Sequence, residues 1–427
     1  MISLIIFLLT VKTQAEEIND PNKYYQLKEM VILSRHNIRS PLSGNGSILS
    51  EITPHKWFEW TSSPSELSLR GGELETLMGQ YFRKWLVSEG LMTENYIPAE
   101  GEFRFYANSM QRTIATAQYF SSGMLPVANV RIEHKFSPSK MDPVFTPKLT
   151  FISENFRNEA LKQIFERCGN KGLQGINENL QREYSLIENV LDFKKSKYAK
   201  DRNITKLPVE DSQIILELDK EPNLTGAMLT FFLASDSLTL QCYEEESAYK
   251  AAFNHKINSF QWEQIAKVKD YYIDTIIGAP IIAVNVANPL LKLMSDELKL
   301  NDRKFTFLCG HDSNIASVLA ALDVEEYELP ESIEKKTPIG SKLVIQKWQG
   351  RDGEMYVSLS LVYQTTKQLR ERSMLTLKNP PMNYQIKLKG LEQNIDGLYK
   401  LSDLQQRFSE AIKAYDNLPV DSMKAAA

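Results

Sequence analysis

Two short apolar runs near opposite ends of the chain constrain its fold more than any other feature. Residues 30–34 are Met-Val-Ile-Leu-Ser, and residues 305–309 are Phe-Thr-Phe-Leu-Cys. Short continuous runs of this kind are typical of strands that are buried in a parallel sheet. Each run leads directly into a cluster of polar and charged residues. The sequence therefore predicts a buried sheet to which both ends of the chain contribute strands.

Regular elements of both kinds surround these runs. Residues 71–89 carry apolar residues at helical spacing and predict a helix. Residues 103–107 predict a strand, with Ser109 as the cap of the helix that follows. The alternating pattern of residues 357–364 predicts a half-buried strand. The last helix is predicted to start at Ser402, where the sequence fits a capping box.

The middle of the chain differs from its ends. Residues 151–270 are rich in Glu, Lys and Asn, and their apolar residues recur at helical spacing. A chain of 427 residues is long enough for two domains, or for one domain with a substantial insertion. The pattern predicts an α/β sheet domain, residues 22–150 and 271–427, with a mainly helical domain inserted at residues 151–270.

Composition limits the classes of function. Apolar residues make up 42% and charged residues 24% of the chain, which are ordinary globular values and favour neither disorder nor a membrane protein. The formal net charge of -4 offers no field that would attract nucleic acid. An anionic substrate would need a local cluster of arginines. The sequence leaves the oligomeric state open.

The N-terminus carries the only targeting signal. Residues 2–11 are mostly apolar but too few to span a bilayer, and Thr13-Gln14-Ala15 fits a cleavage site. We therefore expect residues 1–15 to be a signal peptide and the mature protein to be periplasmic. The alternative is a disordered segment or a buried N-terminal strand.

The sequence shows no local pattern of metal ligands. Its three cysteines are far apart and no Cys-x-x-Cys spacing occurs, so a zinc site of the usual kind is not expected. One disulfide is possible, and whether Cys168 pairs with Cys242 stays open. Three histidines have no acidic or cysteine partner at useful spacing and are predicted to be superficial or structural: His55, His134 and His255.

The strongest chemical motif is Arg35-His36 followed by Arg39, directly after a predicted buried strand. Ligand sites of open α/β sheets lie beyond the carboxyl ends of the strands. Guanidinium groups match phosphate oxygens in geometry and charge, and a neutral imidazole nitrogen between them could attack phosphorus in line. The alternative is structural, because such pairs also satisfy carbonyls or pair with acidic side chains.

The second motif, Gly310-His311-Asp312, follows the other predicted buried strand and opens a helix. His311 could bind a phosphate oxygen, and Asp312 could donate a proton to the leaving oxygen. Asp is also a preferred N-cap residue, and on this motif alone capping is favoured. Arg112, near the start of the helix after the strand at 103–107, is a third candidate, with an ordinary surface arginine as the alternative.

Together these motifs resemble the histidine acid phosphatase family. The family signature Arg-His-Gly-x-Arg-x-Pro corresponds to residues 35–41, with Asn37 in place of Gly, and the family's His-Asp pair corresponds to residues 311–312. The resemblance covers nearly the whole mature chain. It implies a twisted sheet domain of the phosphoglycerate mutase type, with a helical domain that caps the cleft.

The resemblance also implies residue roles and a reaction without a metal or an organic cofactor. His36 would be the nucleophile that forms a phosphohistidine, and Asp312 the proton donor. Because Asp312 must be protonated, we expect an acidic pH optimum. The residues implied to bind the substrate are Arg35, Arg39, Arg112 and His311 for the phosphate and Glu244 for the sugar.

Within the family, the motifs resemble the glucose-1-phosphatase branch, with the acid phytases as neighbours. The predicted function is therefore hydrolysis of glucose 1-phosphate and related sugar phosphates. Alternatives are a phytase-like or broad acid phosphatase, a sugar-phosphate binding protein without catalysis, and an intracellular phosphoglycerate mutase. His36 together with Asp312 argues against the binding protein, and an export signal argues against the mutase.

Overall fold

The computed structural model describes residues 24–42, 47–138 and 140–421. The predicted signal peptide, residues 1–15, lies outside the described residues. Among the described residues, no single helix is long and apolar enough to span a membrane. One bent pair of helices in this part of the chain, Ser259–Ile277 and Pro280–Glu297, has the required length and composition only when the two are taken together.

A central sheet organises the molecule. Its strands lie in the order β2-β5-β1-β6-β7-β8, and β9 also pairs with β7. A separate short pair is formed by β3 and β4. The strands are β1 (Tyr25–Arg35), β2 (Phe103–Ala107), β3 (Ile214–Ile215), β4 (Asn223–Leu224), β5 (Phe305–Gly310), β6 (Lys342–Gly350), β7 (Met355–Tyr363), β8 (Met382–Gln385) and β9 (Tyr399–Lys400).

The predicted buried strands are neighbours in this sheet. Strand β1 pairs in parallel with β5, and β2 pairs in parallel with the other side of β5. On its opposite side β1 pairs antiparallel with β6, and the remaining pairs with β7 are also antiparallel. In the β1–β5 register Arg35 lies opposite Gly310. The two polar motifs therefore leave the sheet side by side.

Helices cover both faces of the sheet and fill the middle of the chain. Glycines at the contact of α2 with α3 allow close packing, because a Cβ on Gly79 would lie 2.1 Å from the carbonyl oxygen of Phe120. The helices are α1 (Ile48–Glu51), α2 (Leu69–Ser88), α3 (Gln111–Met124), α4 (Glu154–Glu166), α5 (Gly172–Val190), α6 (Lys197–Arg202), α7 (Gly226–Glu244), α8 (Ala248–Ala251), α9 (Ser259–Tyr272), α10 (Pro280–Glu297), α11 (Asp312–Ala321), α12 (Thr366–Glu371) and α13 (Leu401–Ala414).

Three apolar clusters hold these layers together. One joins α2 and α3 to one face of the sheet, and a second joins α10, α11 and α13 to the other face. The third lies among α4, α5, α7 and α9. Burial of apolar surface on this scale is the main stabilising contribution to such a fold.

The fold class is confirmed, since a mixed α/β sheet carries a mainly helical middle segment. The boundaries at residues 150 and 270 stay a prediction. The third apolar cluster continues from the helical segment into Leu49 of α1, Leu74 of α2 and Ile282 of α10.

Two predicted helix caps are wrong. Helix α3 starts at Gln111 with Met110 as its cap residue, whereas the Ser109 hydroxyl accepts a hydrogen bond from the backbone N–H of Phe136 at 3.0 Å. Helix α13 starts at Leu401, one residue before Ser402, and has no side-chain cap. Before α3 the Ser109 hydroxyl is engaged in a tertiary contact, and α13 begins directly where strand β9 ends.

The cysteines form no disulfide. Cys168, Cys242 and Cys309 are all buried and free. The possible pairing of Cys168 with Cys242 is therefore not formed. Packing and hydrogen bonds hold the described chain together.

Candidate active site

The site begins where β1 leaves the sheet. The backbone N–H of His36 donates to the carbonyl oxygen of Gly310 at 3.0 Å, and that of Gly340 donates to the carbonyl oxygen of His36 at 3.1 Å. His36 is buried. The polar residues that follow β1 and β5 are thus fixed against each other by backbone hydrogen bonds.

One ring nitrogen of His36 is free to act as a nucleophile. Its Nδ1 lies 2.9 Å from the carbonyl oxygen of Asn37. A carbonyl can only accept, so Nδ1 carries the proton and Nε2 keeps its lone pair. Burial, with Arg112 and Arg39 nearby, holds the pKa of His36 well below its usual value. The low pKa favours the neutral form of the ring.

The loop around Asn37 is held by a buried ion pair. The Asn37 amide donates to Glu75 at 2.8 Å, and Lys342 lies 3.1 Å from the same carboxylate, with both charged side chains inaccessible. A Cβ on Gly340, whose φ is +67°, would lie 2.5 Å from the Asn37 amide nitrogen. Asn37 therefore fills this space and carries a hydrogen bond that a glycine at the same position could not make.

Two guanidinium groups line the cavity beside His36. Arg39 is bound by Asp236 at 3.0 Å, and Arg112 has only a 3.5 Å contact with the carbonyl oxygen of Ser65. Burial and the neighbouring Arg39 lower the pKa of Arg112 to about 10. The Nε atoms of both arginines are buried without a hydrogen-bond partner in the described structure. Because both guanidinium groups line the cavity, their positive charge favours an anion there.

Arg35 is more tightly held than the other two. It is bound by Glu334 at 2.6 Å and by the carbonyl oxygen of Thr337 at 2.5 Å, and it lies 3.4 Å from Asp312. Its Nε also has no partner among the described residues. Arg35 does not line the cavity. The structure therefore places it behind the site, where its charge acts on His36 and Asp312.

His311 lies opposite His36. The two ring centroids are 5.5 Å apart, with an interplanar angle of 70°. The Asn108 amide donates to Nε2 of His311 at 2.7 Å, and its oxygen accepts from the backbone N–H of Asp142 at 2.8 Å, which fixes the orientation of the amide. Burial and Arg112 hold the pKa of His311 well below its usual value.

Asp312 is paired with a buried lysine. Its Oδ2 lies 2.9 Å from Nζ of Lys269, and its side chain is 18% exposed. Burial opposes the charge on Asp312, but Lys269 and Arg35 outweigh it and hold the pKa of Asp312 well below its usual range. The cap residue of α11 is His311, so the alternative that Asp312 caps the helix is wrong.

Three buried charges of this site were not predicted from the sequence. Lys269 lies 3.1 Å from Asp236, 2.9 Å from Asp312 and 3.6 Å from Glu334. Arg39 and Lys269 outweigh burial and lower the pKa of Asp236 to about 2. A signal existed for Asp236, because it is the only charged residue within the apolar stretch of α7 that precedes Glu244. For Lys269 and Glu334 the sequence offered no comparable signal.

The cavity above these charges has a volume of about 350 Å³. Besides the charged groups, Glu221 lines it, and burial together with the nearby Asp312 raises the pKa of Glu221. The remaining wall is largely apolar. It is formed by Leu229, Phe232 and Leu233 of α7 and by Ile273, Ile276 and Ile277 after α9.

Glu244 lies away from this cavity wall. It is the last residue of α7, eight positions after Asp236 and so about 12 Å further along the helix axis. Its carboxylate accepts a hydrogen bond from the Ser68 hydroxyl at 2.8 Å. The structure does not bring Glu244 together with Arg39, Arg112 and His311 in one cavity. Its predicted contact with a sugar stays a prediction.

A second pair of histidines lies outside the cavity. His55 and His255 both contact Asp192, through Nε2 atoms that lie 2.8 Å and 3.3 Å from its Oδ2. The sequence shows no acidic partner at useful spacing, and the fold supplies one by bringing together residues that are far apart in sequence. Their partly exposed positions agree with the prediction that these histidines are superficial or structural. His134 is exposed and bonds only locally to the carbonyl oxygen of Phe136.

The active-site arrangement can hold a phosphate group and accept it on nitrogen. His36, with one ring nitrogen unprotonated, lines the same cavity as the guanidinium groups of Arg39 and Arg112 and the carboxylate of Asp312. Phosphoryl transfer depends chiefly on positioning and on stabilisation of charge. These groups supply both, which defines a phosphate-transferring site on an α/β fold.

Comparison with known proteins agrees with this class. The sequence profile of the histidine phosphatase superfamily (branch 2) matches residues 26–362. The chain is 36% identical over 394 residues to a glucose-1-phosphatase of Salmonella typhimurium, which covers 91% of this chain and 93% of that protein. It is 26% identical over 404 residues to the phytase AppA of Escherichia coli, which covers 90% and 92%. The structure of a phytase from Citrobacter braakii superposes with a TM-score of 0.82 at 28% identity, over 92% and 98% of the two chains.

The chain therefore belongs to the histidine phosphatase superfamily (branch 2). Membership and the match to glucose-1-phosphatases make it a phosphomonoester hydrolase that acts on a small phosphate ester. The family resemblance of the sequence motifs is confirmed.

Proposed function

We propose that this protein hydrolyses glucose 1-phosphate and related sugar phosphates through a phosphohistidine at His36. One observation carries the proposal. His36, whose Nε2 keeps its lone pair, lines a cavity that Arg39 and Arg112 also line. These groups can position a phosphate for in-line attack.

In the first step, the lone pair of His36 Nε2 forms a bond to phosphorus. The bond from phosphorus to the sugar oxygen breaks, and that oxygen takes a proton from Asp312. In the second step, Asp312 takes a proton from water as the water oxygen attacks the phosphohistidine. Inorganic phosphate leaves and Nε2 regains its lone pair.

Asp312 must bind a proton before the first step. Lys269 and Arg35 favour its ionised form. A bound phosphate brings negative charge beside Asp312, which favours its protonated form. Proton uptake by Asp312 thus accompanies substrate binding, and an acidic pH optimum is expected.

The cavity supports a small substrate. Its volume of about 350 Å³ is at the lower end of the range for ligand pockets, which suits one sugar phosphate. The printed name of the Salmonella typhimurium relative, glucose-1-phosphatase, agrees with this choice.

A phytase-like or broad acid phosphatase is the second candidate. The structural similarity to the Citrobacter braakii phytase favours it, although the sequence identity to a phytase is lower than to a glucose-1-phosphatase. A binding protein without catalysis would not need both His36 and Asp312. We also propose that the enzyme is exported to the periplasm, on the signal-peptide pattern of residues 1–15.

The test is a rapid-quench measurement of a single turnover at acid pH, with glucose 1-phosphate labelled in its phosphate. Wild-type protein should carry the label transiently, and His36→Ala should carry none and lose at least about 10⁴-fold in kcat. His134→Ala removes an exposed histidine far from the cavity lining and serves as the matched control.

Two results would overturn parts of the proposal. Turnover that survives in His36→Ala would exclude the covalent route. Faster cleavage of inositol hexakisphosphate than of glucose 1-phosphate, with the label still on His36, would keep the chemistry and replace the substrate.

A further inference from the structure

Three side chains from distant parts of the sequence converge at the surface of the helical segment. His55 follows α1, Asp192 lies in the turn after α5, and His255 follows α8. The ligand atoms of these residues all lie within 4.8 Å of one another. Each side chain is between one-fifth and about one-third exposed, so the cluster is open to ions in solution.

The backbone presents these side chains in unusual conformations. Asp192 has φ of +49°, and the two residues that precede His255, Phe253 and Asn254, have φ of +50° and +68°. Non-glycine residues seldom adopt this region. The ring of His55 stacks on Phe253 at 4.9 Å with an interplanar angle of 10°, and Phe253 is itself buried. The cluster is thus supported by a fixed turn and by an apolar platform.

The donor set suits a divalent transition metal. Two imidazole nitrogens with one carboxylate oxygen favour Zn²⁺ and its neighbours, whereas Ca²⁺ and Mg²⁺ require oxygen ligands. Ligand atoms of a tetrahedral zinc site with bonds of about 2.05 Å lie about 3.3 Å apart. The His255–Asp192 distance of 3.3 Å already matches that spacing, and the His55–Asp192 distance of 2.8 Å needs a small adjustment.

The second carboxylate oxygen is already occupied. Lys195 lies 2.9 Å from Oδ1 of Asp192, on the oxygen that the histidines do not contact. This contact leaves Oδ2 of Asp192 to bind the ion. Lys195 would act as an outer partner that orients the metal ligand. Two nitrogens and one oxygen leave a fourth tetrahedral position for water.

We propose that His55, Asp192 and His255 bind one Zn²⁺ ion that joins these three segments. None of the three residues lines the catalytic cavity. The site therefore stabilises the contact between the segment after α1 and the helical segment, and it takes no part in hydrolysis. The proposal is independent of the substrate assigned to the active site.

The test uses mature protein without a histidine tag, treated with EDTA and dialysed, at a pH of about 7.5. Titration with Co²⁺ should give one equivalent of visible d–d absorption of the intense, four-coordinate type. Zn²⁺ should displace this signal and raise the melting temperature by a few degrees.

Three variants locate the ion. His255→Gln and Asp192→Asn should each weaken Co²⁺ binding by at least about tenfold, since each removes one of three protein ligands. His134→Gln, which alters an exposed histidine with only a local hydrogen bond, should bind Co²⁺ as the wild type does. Asp192→Asn keeps the shape of the side chain and removes its negative charge. Retained hydrolysis shows that each variant is folded.

The proposal fails if folded wild-type protein binds no stoichiometric Co²⁺ above the level of His55→Gln/His255→Gln. It also fails if Asp192→Asn and His255→Gln bind as tightly as the wild type, because the ion would then lie elsewhere. In either case the three side chains form only a hydrogen-bonded cluster.

Discussion

Two pairs of histidines in this molecule have similar internal geometry and opposite surroundings. The rings of His36 and His311 lie 5.5 Å apart at 70°, and those of His55 and His255 lie 6.2 Å apart at 85°. The first pair is buried among guanidinium groups, and burial together with these charges holds both pKa values down. The second pair is partly exposed and shares the carboxylate of Asp192.

The difference shows that neighbouring charges decide which ligand a pair of imidazoles can bind. Arg39 is paired with Asp236, but Arg112 has no ion pair among the described residues, so its positive charge favours an anion such as phosphate. Beside Asp192 the shared partner is negative, so the site suits a cation. The predictions below test this contrast, from the largest expected effect to the smallest.

Replacement of Asp312, the proposed proton donor, should impair hydrolysis and leave cation binding at Asp192 unchanged. Asp312→Asn is expected to lower kcat on glucose 1-phosphate by about 10²–10⁴-fold, because the sugar oxygen then leaves without a proton. The loss should be smaller with p-nitrophenyl phosphate, whose leaving group is already stable as an anion. Initial rates on the two substrates measure the difference.

The control for that variant is Asp323→Asn, which changes an exposed aspartate just beyond α11 that is paired only with Lys389. Its rates should equal those of the wild type. An equal loss of rate on both substrates in Asp312→Asn would show that Asp312 supports the site without donating the proton.

The active-site motifs were predictable because each lies directly after a buried strand. The sequence placed His36, Arg39, His311 and Asp312 at one sheet edge, and the parallel pairing of β1 with β5 brings them together. The acidic partner of His55 and His255 was not predictable, since Asp192 is more than sixty positions from either histidine. Local spacing carries no information about such contacts.

Loss of a guanidinium should weaken anion binding and leave cation binding unchanged. Arg112→Met is expected to raise the inhibition constant of inorganic phosphate by about 10–100-fold, because a charged hydrogen bond contributes about 1.5–3 kcal/mol. Arg182→Met, an exposed arginine on α5, is the matched control. Unchanged phosphate inhibition in Arg112→Met would remove Arg112 from the site.

Removal of the buried cation should change the pH profile. Lys269 lowers the pKa of Asp312, so Lys269→Met should raise that pKa. The active form requires protonated Asp312, and a higher pKa keeps it protonated to higher pH. The alkaline limb of kcat/KM should therefore move to higher pH, as measured by initial rates across pH.

Lys267→Met, which removes a neighbouring lysine paired with Glu183, is the control and should keep the wild-type profile. Lys269 also pairs with Asp236, so its replacement can disturb the fold. Circular dichroism is therefore needed to show that both variants are folded. A profile that stays in place in Lys269→Met would mean that Asp312 does not control the alkaline limb.

The fold was predictable where strands follow a simple pattern and less so where tertiary contacts intervene. Strand β2 matches its predicted range of residues 103–107. Strand β6 went unnoticed, although Asp352-Gly353 after it is a typical hairpin signal and β7 pairs with it directly. The cap predicted at Ser109 failed because the hydroxyl bonds to Phe136, a contact that only the folded chain creates.

The smallest change in the rate of hydrolysis is expected when the cation site is emptied or altered. EDTA-treated protein and His255→Gln should hydrolyse glucose 1-phosphate within about twofold of the wild-type rate, since distant sites without shared partners contribute independently. Melting temperature should nevertheless fall on EDTA treatment, as the ion binds only the folded chain. A large loss of rate that Zn²⁺ restores would show that the segment after α1 transmits the state of the cation site to Arg39. In that outcome hydrolysis at the first histidine pair would depend on metal binding at the second, and the two pairs would not be independent sites.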